Sequence, residues 1–202
     1  MKRPRLGLTL LAAAGATALA FVLDPWVWRH VEYSPVYEHD WGRMLRVVGS
    51  LVWWVPLALA VGLEASLRRA KNARSAWLLI LAPALAGLVA EGLKLLVRRE
   101  RPGLHDGGYF YRGFSDRPFD THDIGFPSSH VMVAFAGAAV LARMYPKAGA
   151  VVYALALGCA VTRVLAQAHF ASDVVAGGIA GWAIGTWLGK TWPASAPRFS
   201  ST

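Results

Sequence analysis

Charge and cysteine are what this sequence has little of. Only 16% of its 202 residues are charged, against about a quarter in ordinary soluble domains. Hydrophobic residues make up 55%, which excludes a disordered chain. Cys159 is the single cysteine, so an intrachain disulfide and a disulfide scaffold are excluded as well. The chain has no low-complexity segment, no internal repeat and no linker that would define a second domain. Residues 1–202 therefore read as one domain. The apolar residues come in long blocks rather than amphipathic stripes, which argues against a water-soluble enzyme.

Six such blocks approach the roughly 20 residues that an α-helix needs to cross a bilayer core. They cover residues 6–22, 45–67, 76–97, 128–145, 148–170 and 171–192. The expected fold class is all-α: a polytopic membrane protein with six transmembrane helices in a bundle. The formal charge of +9 does not point to nucleic acid, because the excess falls at block ends rather than on a soluble basic face. With the N-terminus inside, the inner segments carry 11 Lys and Arg against one acid, Glu64, and the outer segments 10 against 11. Lys and Arg counts alone barely decide orientation. The short basic segments 1–5 and 68–74 favour this one.

The start of the chain, with basic Lys2, Arg3 and Arg5, an apolar run and Ala18-Leu19-Ala20, also resembles a secretory signal. Trp26, Trp28, Tyr33, Tyr37 and Trp41 are expected in the first outside loop, at the membrane interface. Gly177, Gly181, Gly185 and Gly189 recur every four residues, and such a face admits a close neighbouring helix within the same chain.

Ionisable residues gather at the outer ends of the blocks, where charge is costly and usually functional. Lys94 stands near the end of the third block and is followed by Arg101-Pro102. His130 opens the fourth, Arg163 lies near the end of the fifth, and His169 and Asp173 flank the start of the sixth. His169 and Asp173 are four apart, so they share a helix face. A carboxylate on one imidazole nitrogen leaves the other free to attack or to carry a proton. Pro127-Ser128-Ser129-His130 reads as a helix start, with Pro at the first helical position, Ser as cap and amides free for an anion. Pro102 disfavours helix at Arg101, which should begin a loop. Arg163 and His169 are six apart, on different faces of a straight helix, so a bend is expected near Gln167 and Ala168 if both address one ligand. Three cations, two imidazoles, a carboxylate and a helix start suit a multiply charged oxyanion such as phosphate.

Lys94 and Arg101-Pro102 separated by six residues, then Pro127-Ser128-Ser129-His130, then Thr162-Arg163 with His169 and Asp173 beyond, resemble the three-part signature of the PAP2 family. This is the type 2 phosphatidic acid phosphatase family, which shares its site with vanadium haloperoxidases. The resemblance implies an integral-membrane lipid phosphatase that works without a metal ion or other cofactor. Its substrate would be a phosphorylated or diphosphorylated membrane lipid: a polyprenyl diphosphate, phosphatidic acid, phosphatidylglycerol phosphate or a lipid A phosphate. It implies His169 as the nucleophile that becomes a phosphohistidine, Asp173 as its orienting partner, and His130 as acid and then base. Lys94, Arg101, Ser128, Ser129 and Arg163 would hold the phosphate. The expected location is the inner membrane, with the site facing the exterior. Two departures stand out: Ser129 replaces the usual Gly, and Thr162 the usual Ser. A lipid phosphotransferase using the same phosphohistidine, or a non-catalytic protein binding or moving an anionic lipid, are the alternatives.

The remaining polar residues read more plainly. Arg98 and Arg99 are expected as interfacial anchors, and Glu91, one turn from Lys94, as a partner for a buried charge. Asp120, His122, Asp123, His105 and Asp106 are expected in solvent rather than on a metal. Tyr109, Phe110, Tyr111, Phe114, Phe119 and Phe126 are expected to rest the long loop on the membrane, as a lid over a headgroup.

Overall fold

A computed structural model describes residues 6–67 and 76–191. The basic segments 1–5 and 68–74, with Trp192 and Arg198, lie outside the described residues. Seven α-helices account for most of the rest: α1 (Leu6–His30), α2 (Asp40–Val47), α3 (Leu51–Leu67), α4 (Leu78–Val97), α5 (Ser129–Met144), α6 (Gly149–Leu165) and α7 (Ala171–Thr191). Among the described residues the only β pairing is two isolated bridges in the α4–α5 loop, Arg99 with Tyr111 and Glu100 with Ile124.

The helix set differs from expectation in three places. The second apolar block is two helices, because the chain turns by 68° between α2 and α3. Gly49 sits at this corner, where a Cβ would lie 2.7 Å from both the Cβ and the carbonyl oxygen of His130. The indole of Trp54 donates to the Val48 carbonyl at 2.8 Å and closes the corner from the other side. Secondly, α1 runs through Pro25 to His30, so Trp26 and Trp28 stand on the helix and Trp41 on α2 rather than in a loop. Thirdly, only Gly7–His30, Leu78–Val97 and Pro146–Leu165 are long and apolar enough to cross a membrane among the described residues. The bent pair α2–α3 passes the same test when its two helices are taken together, which gives three to four candidate spans. At 16 residues α5 is only about 24 Å long, and α7 carries Ser172, Asp173 and five glycines.

Those two helices form the centre instead. α5 packs most extensively on α7, then on α4 and α6, and ten of its residues are buried. The α5–α7 contact depends on the glycine stripe. A Cβ on Gly177 would sit 2.9 Å from the Ser128 oxygen, on Gly181 2.2 Å from the Met132 oxygen, and on Gly185 2.3 Å from the Ala136 oxygen. On the outside, Leu8, Leu11, Val22, Val52, Leu88 and Leu96 are exposed, a surface suited to hydrocarbon rather than water.

Gly181→Ala is expected to force α5 and α7 apart and to cost about 1–3 kcal/mol. It should lower the thermal unfolding midpoint in detergent, whereas Gly15→Ala, with nothing within 4 Å of its Cβ, should leave it unchanged.

Candidate active site

The C-terminal ends of α4 and α6 and the N-terminal ends of α5 and α7 meet at one end of the bundle, and the motif residues sit on these ends. Arg101 leaves the helix as expected. Arg98 caps α4 in the left-handed region at φ 57°, and Arg101 is extended at φ −71°, ψ 146° before the 3-10 turn Pro102–Leu104. The bend between Arg163 and His169 also falls at its expected place. α6 ends at Leu165, Gln167 takes φ 49°, and the Ala168 amide donates back to the Arg163 carbonyl at 3.1 Å. The α5 start differs slightly. The first helical residue is Ser129 rather than Pro127; Ser128 takes the cap position, but its hydroxyl makes no cap bond.

Arg101, His130 and Arg163 line one polar cavity of about 310 Å³, together with Arg46 of α2 and the connector from Tyr33 to Glu38. A larger groove of about 370 Å³, between Ala58 and Ile80, is mostly apolar and is lined by none of the motif residues. Tyr37 braces the polar cavity: its hydroxyl accepts from Arg163 Nη1 at 3.0 Å and donates to the Thr162 carbonyl at 3.2 Å. Arg46 stacks over the Tyr37 ring at 4.9 Å. Nε of Arg101, Nε of Arg163 and Oγ of Ser128 are buried with no hydrogen-bond partner. Burial, and then the neighbouring Arg163, push the Arg101 guanidinium below its ordinary pKa. Crowded cations with unused donors are what a bound oxyanion would satisfy.

Two further clusters flank this cavity without lining it. In the first, Lys94 donates to Glu91 at 2.9 Å, and Ser129 Oγ donates to the same carboxylate oxygen at 2.6 Å. Ser129 therefore has a side-chain partner of its own. In the second, Asp173 accepts from the Phe170 amide at 2.9 Å and lies 3.4 Å from His169 Nδ1, a charge contact without hydrogen-bond geometry. The Ser128 amide donates to the Asp173 carbonyl at 3.1 Å, tying the starts of α5 and α7 together. Thr162, at the second departure, returns its hydroxyl to the Cys159 carbonyl at 2.8 Å.

Arg98 and Arg99 are not interfacial anchors. Arg98 is 2% exposed and Arg99 fully buried. Arg98 donates to the carbonyls of Arg112, Asp116, Arg117 and Pro118 and so shapes the α4–α5 loop. Arg99 is enclosed by Phe21, Tyr109, Phe126 and Phe170, with ring centroids 4.7–5.1 Å from its guanidinium carbon, and it donates to Asp173. This also divides the expected aromatic lid. Tyr109 and Phe126 are structural, while Phe114 and Phe119 stay exposed at the loop surface. Glu100 accepts from Arg112 at 2.6 Å and contacts His105 at 2.7 Å. Among the described residues no three His, Cys, Asp or Glu are grouped to hold a metal.

The profile of the PAP2 superfamily matches residues 75–196, more than half of the chain. The chain belongs to that superfamily. Among its PAP2 relatives, a lipid A 1-phosphatase of Rhizobium etli is 30% identical over 164 residues, covering 73% of this chain and 69% of that protein. Another, of Rhizobium johnstonii, is 32% identical over 170 residues, covering 77% and 66%. A crystal structure of a transmembrane PAP2-type phosphatidylglycerolphosphate phosphatase from Bacillus subtilis shares the fold. Its TM-score is 0.66 at 18% identity, over 95% of this chain and 96% of that one.

Sequence reasoning missed Arg46, Tyr37 and the buried role of Arg99. The ring of aromatics around Arg99 comes from three distant segments, so no local pattern marks it. In this PAP2 site the Glu100 carboxyl, which burial would raise, is held below its ordinary pKa by hydrogen bonds from His105 and Arg112. A depressed carboxylate contributes stability above its unfolded pKa and loses it as the pH falls through the folded value. The unfolding midpoint should therefore drop as the pH falls below about 4. Glu100→Gln should lower the midpoint at neutral pH and shrink that acid-side drop.

Proposed function

We propose that this membrane lipid phosphatase cleaves a phosphate from a lipid headgroup at the outer end of its helical bundle, through a phosphohistidine on His169. The carrying observation is the meeting of Arg101, Arg163 and His130 on one cavity, with the His169–Asp173 pair directly behind the same helix ends. Asp173 at Nδ1 leaves Nε2 of His169 to attack phosphorus. As the P–N bond forms, the bond to the lipid oxygen breaks, and His130 gives that oxygen its proton. His130 then takes a proton from water, which attacks the phosphohistidine, breaks P–N and releases inorganic phosphate. Lys94, Arg101, Arg163, Ser128 and the backbone at Ser129 stabilise the charge on the transferring group.

The finer arrangement follows from the same reading. The chain is one membrane-embedded domain, residues 1–202, in which α1, α2–α3, α4, α5, α6 and α7 make six crossings. The central α5 and α7 need less length and apolarity because neighbouring helices cover them. The location is the cytoplasmic membrane with the site on the exterior side, at headgroup depth. The similarity to two lipid A 1-phosphatases supports a lipid A 1-phosphate as the leading substrate candidate, ahead of phosphatidylglycerol phosphate, phosphatidic acid and polyprenyl diphosphates.

Phosphate release from that panel by purified protein, without an added acceptor, tests hydrolysis. Transfer to a second lipid with no free phosphate would make the protein a phosphotransferase. His169→Ala should lower the rate at least a thousandfold, about 4 kcal/mol of barrier. Retention of function in that variant would leave an anionic-lipid binder or transporter. Arg101→Lys should lower kcat/KM by about tenfold or more, because an ammonium replaces a planar fork of donors. Activity should persist in a chelator, and restoration only by added divalent ions would overturn the metal-free mechanism.

A further inference from the structure

Asp24 lies on α1, which carries none of the three motifs and stands outside the residues matched by the family profile. It is 1% exposed, and a buried carboxylate is costly unless its oxygens are used. Both are used. Oδ1 accepts from the Ser172 amide at 2.9 Å, and Oδ2 accepts from the Ser172 hydroxyl at 2.5 Å and from the Tyr109 hydroxyl at 2.8 Å. Arg99 Nη1 stands 3.8 Å from Oδ2, while Arg99 Nη2 donates to Ser172 Oγ at 2.7 Å and to Asp173 Oδ1.

We propose that Asp24 is a positioning residue for the reaction, acting through Ser172 and Arg99 on the Asp173–His169 pair. The inference rests on His169 being the nucleophile. Two physical effects carry it. Asp24 holds the amide and hydroxyl of Ser172, the residue before Asp173, and so fixes the first turn of α7 from which Asp173 projects. Asp24 also shares the Arg99 charge. Without it the guanidinium is balanced by Asp173 alone, which draws that carboxylate from an imidazole contact already 3.4 Å long. A displacement of about 1 Å in such a group can cost about a hundredfold in rate.

The test reads the chemistry without needing the lipid. Inorganic phosphate labelled with oxygen-18 should lose label to solvent as His169 attacks phosphorus and expels water, and as solvent water reverses the step. Its concentration dependence gives a maximal exchange rate and an apparent phosphate affinity. In the full chain in detergent, Asp24→Asn and Ser172→Ala should each cut the maximal rate tenfold or more. Phosphate affinity should stay within twofold, because Lys94, Arg101 and Arg163 are untouched. A wild-type rate in a folded variant overturns the inference, and so does a loss of affinity as large as the loss of rate. If Asp24→Asn does not fold, Ser172→Ala decides by the same criteria. Exchange that persists in His169→Ala, or is absent from the wild type, sinks the phosphohistidine reading and takes this inference with it.

Discussion

A guanidinium with no exposed surface ties the working end of this bundle together. Arg99 stands between Asp24 of α1 and Asp173 of α7, with aromatic rings from α1, the α4–α5 loop and the segment before α7 closed around it. Removing one partner of such a buried pair typically costs about 3–5 kcal/mol, because the other charge is left uncompensated. The arrangement is therefore over-determined. The helices must bring both carboxylates to the arginine, and the α4–α5 loop must lay its aromatics over it.

That constraint explains why the motifs occupy helix ends. Each end supplies one part: Lys94 from α4, Ser128 and His130 from the α5 start, Arg163 from α6, and Asp173 from α7. The glycine stripe of α7 allows its backbone to lie on that of α5, so the Ser128 amide reaches the Asp173 carbonyl. Once the ends are locked, the cations of the polar cavity are held closer together than their own repulsion favours. Folding sets up this positive field in advance, which is the preorganisation the proposed phosphate transfer calls for.

Much of the site was legible before any coordinates. Residues six apart cannot share a helix face, so Arg163 and His169 could address one ligand only across a bend near Gln167, and the proline at 102 predicted that Arg101 leaves the helix. Glu91 was marked as a charge partner by lying one turn from Lys94. Arg98 and Arg99 were misread for a physical reason. Two arginines after an apolar block look like interfacial anchors unless the loop that buries them is known. The corner at Gly49 was hidden because residues 45–67 read as one long, mostly apolar run, and hydropathy does not register a change of direction.

The sequence by itself determined which ionisable side chains gather at the ends of long apolar helices, since residue type, charge and helical spacing are local properties of the chain. The tertiary structure decided which of those side chains share a cavity, which stand behind it, and that Asp24, Arg46 and Arg99 join them. Those choices depend on contacts between segments up to 148 residues apart, such as Ser172 with Asp24, and no local pattern encodes them.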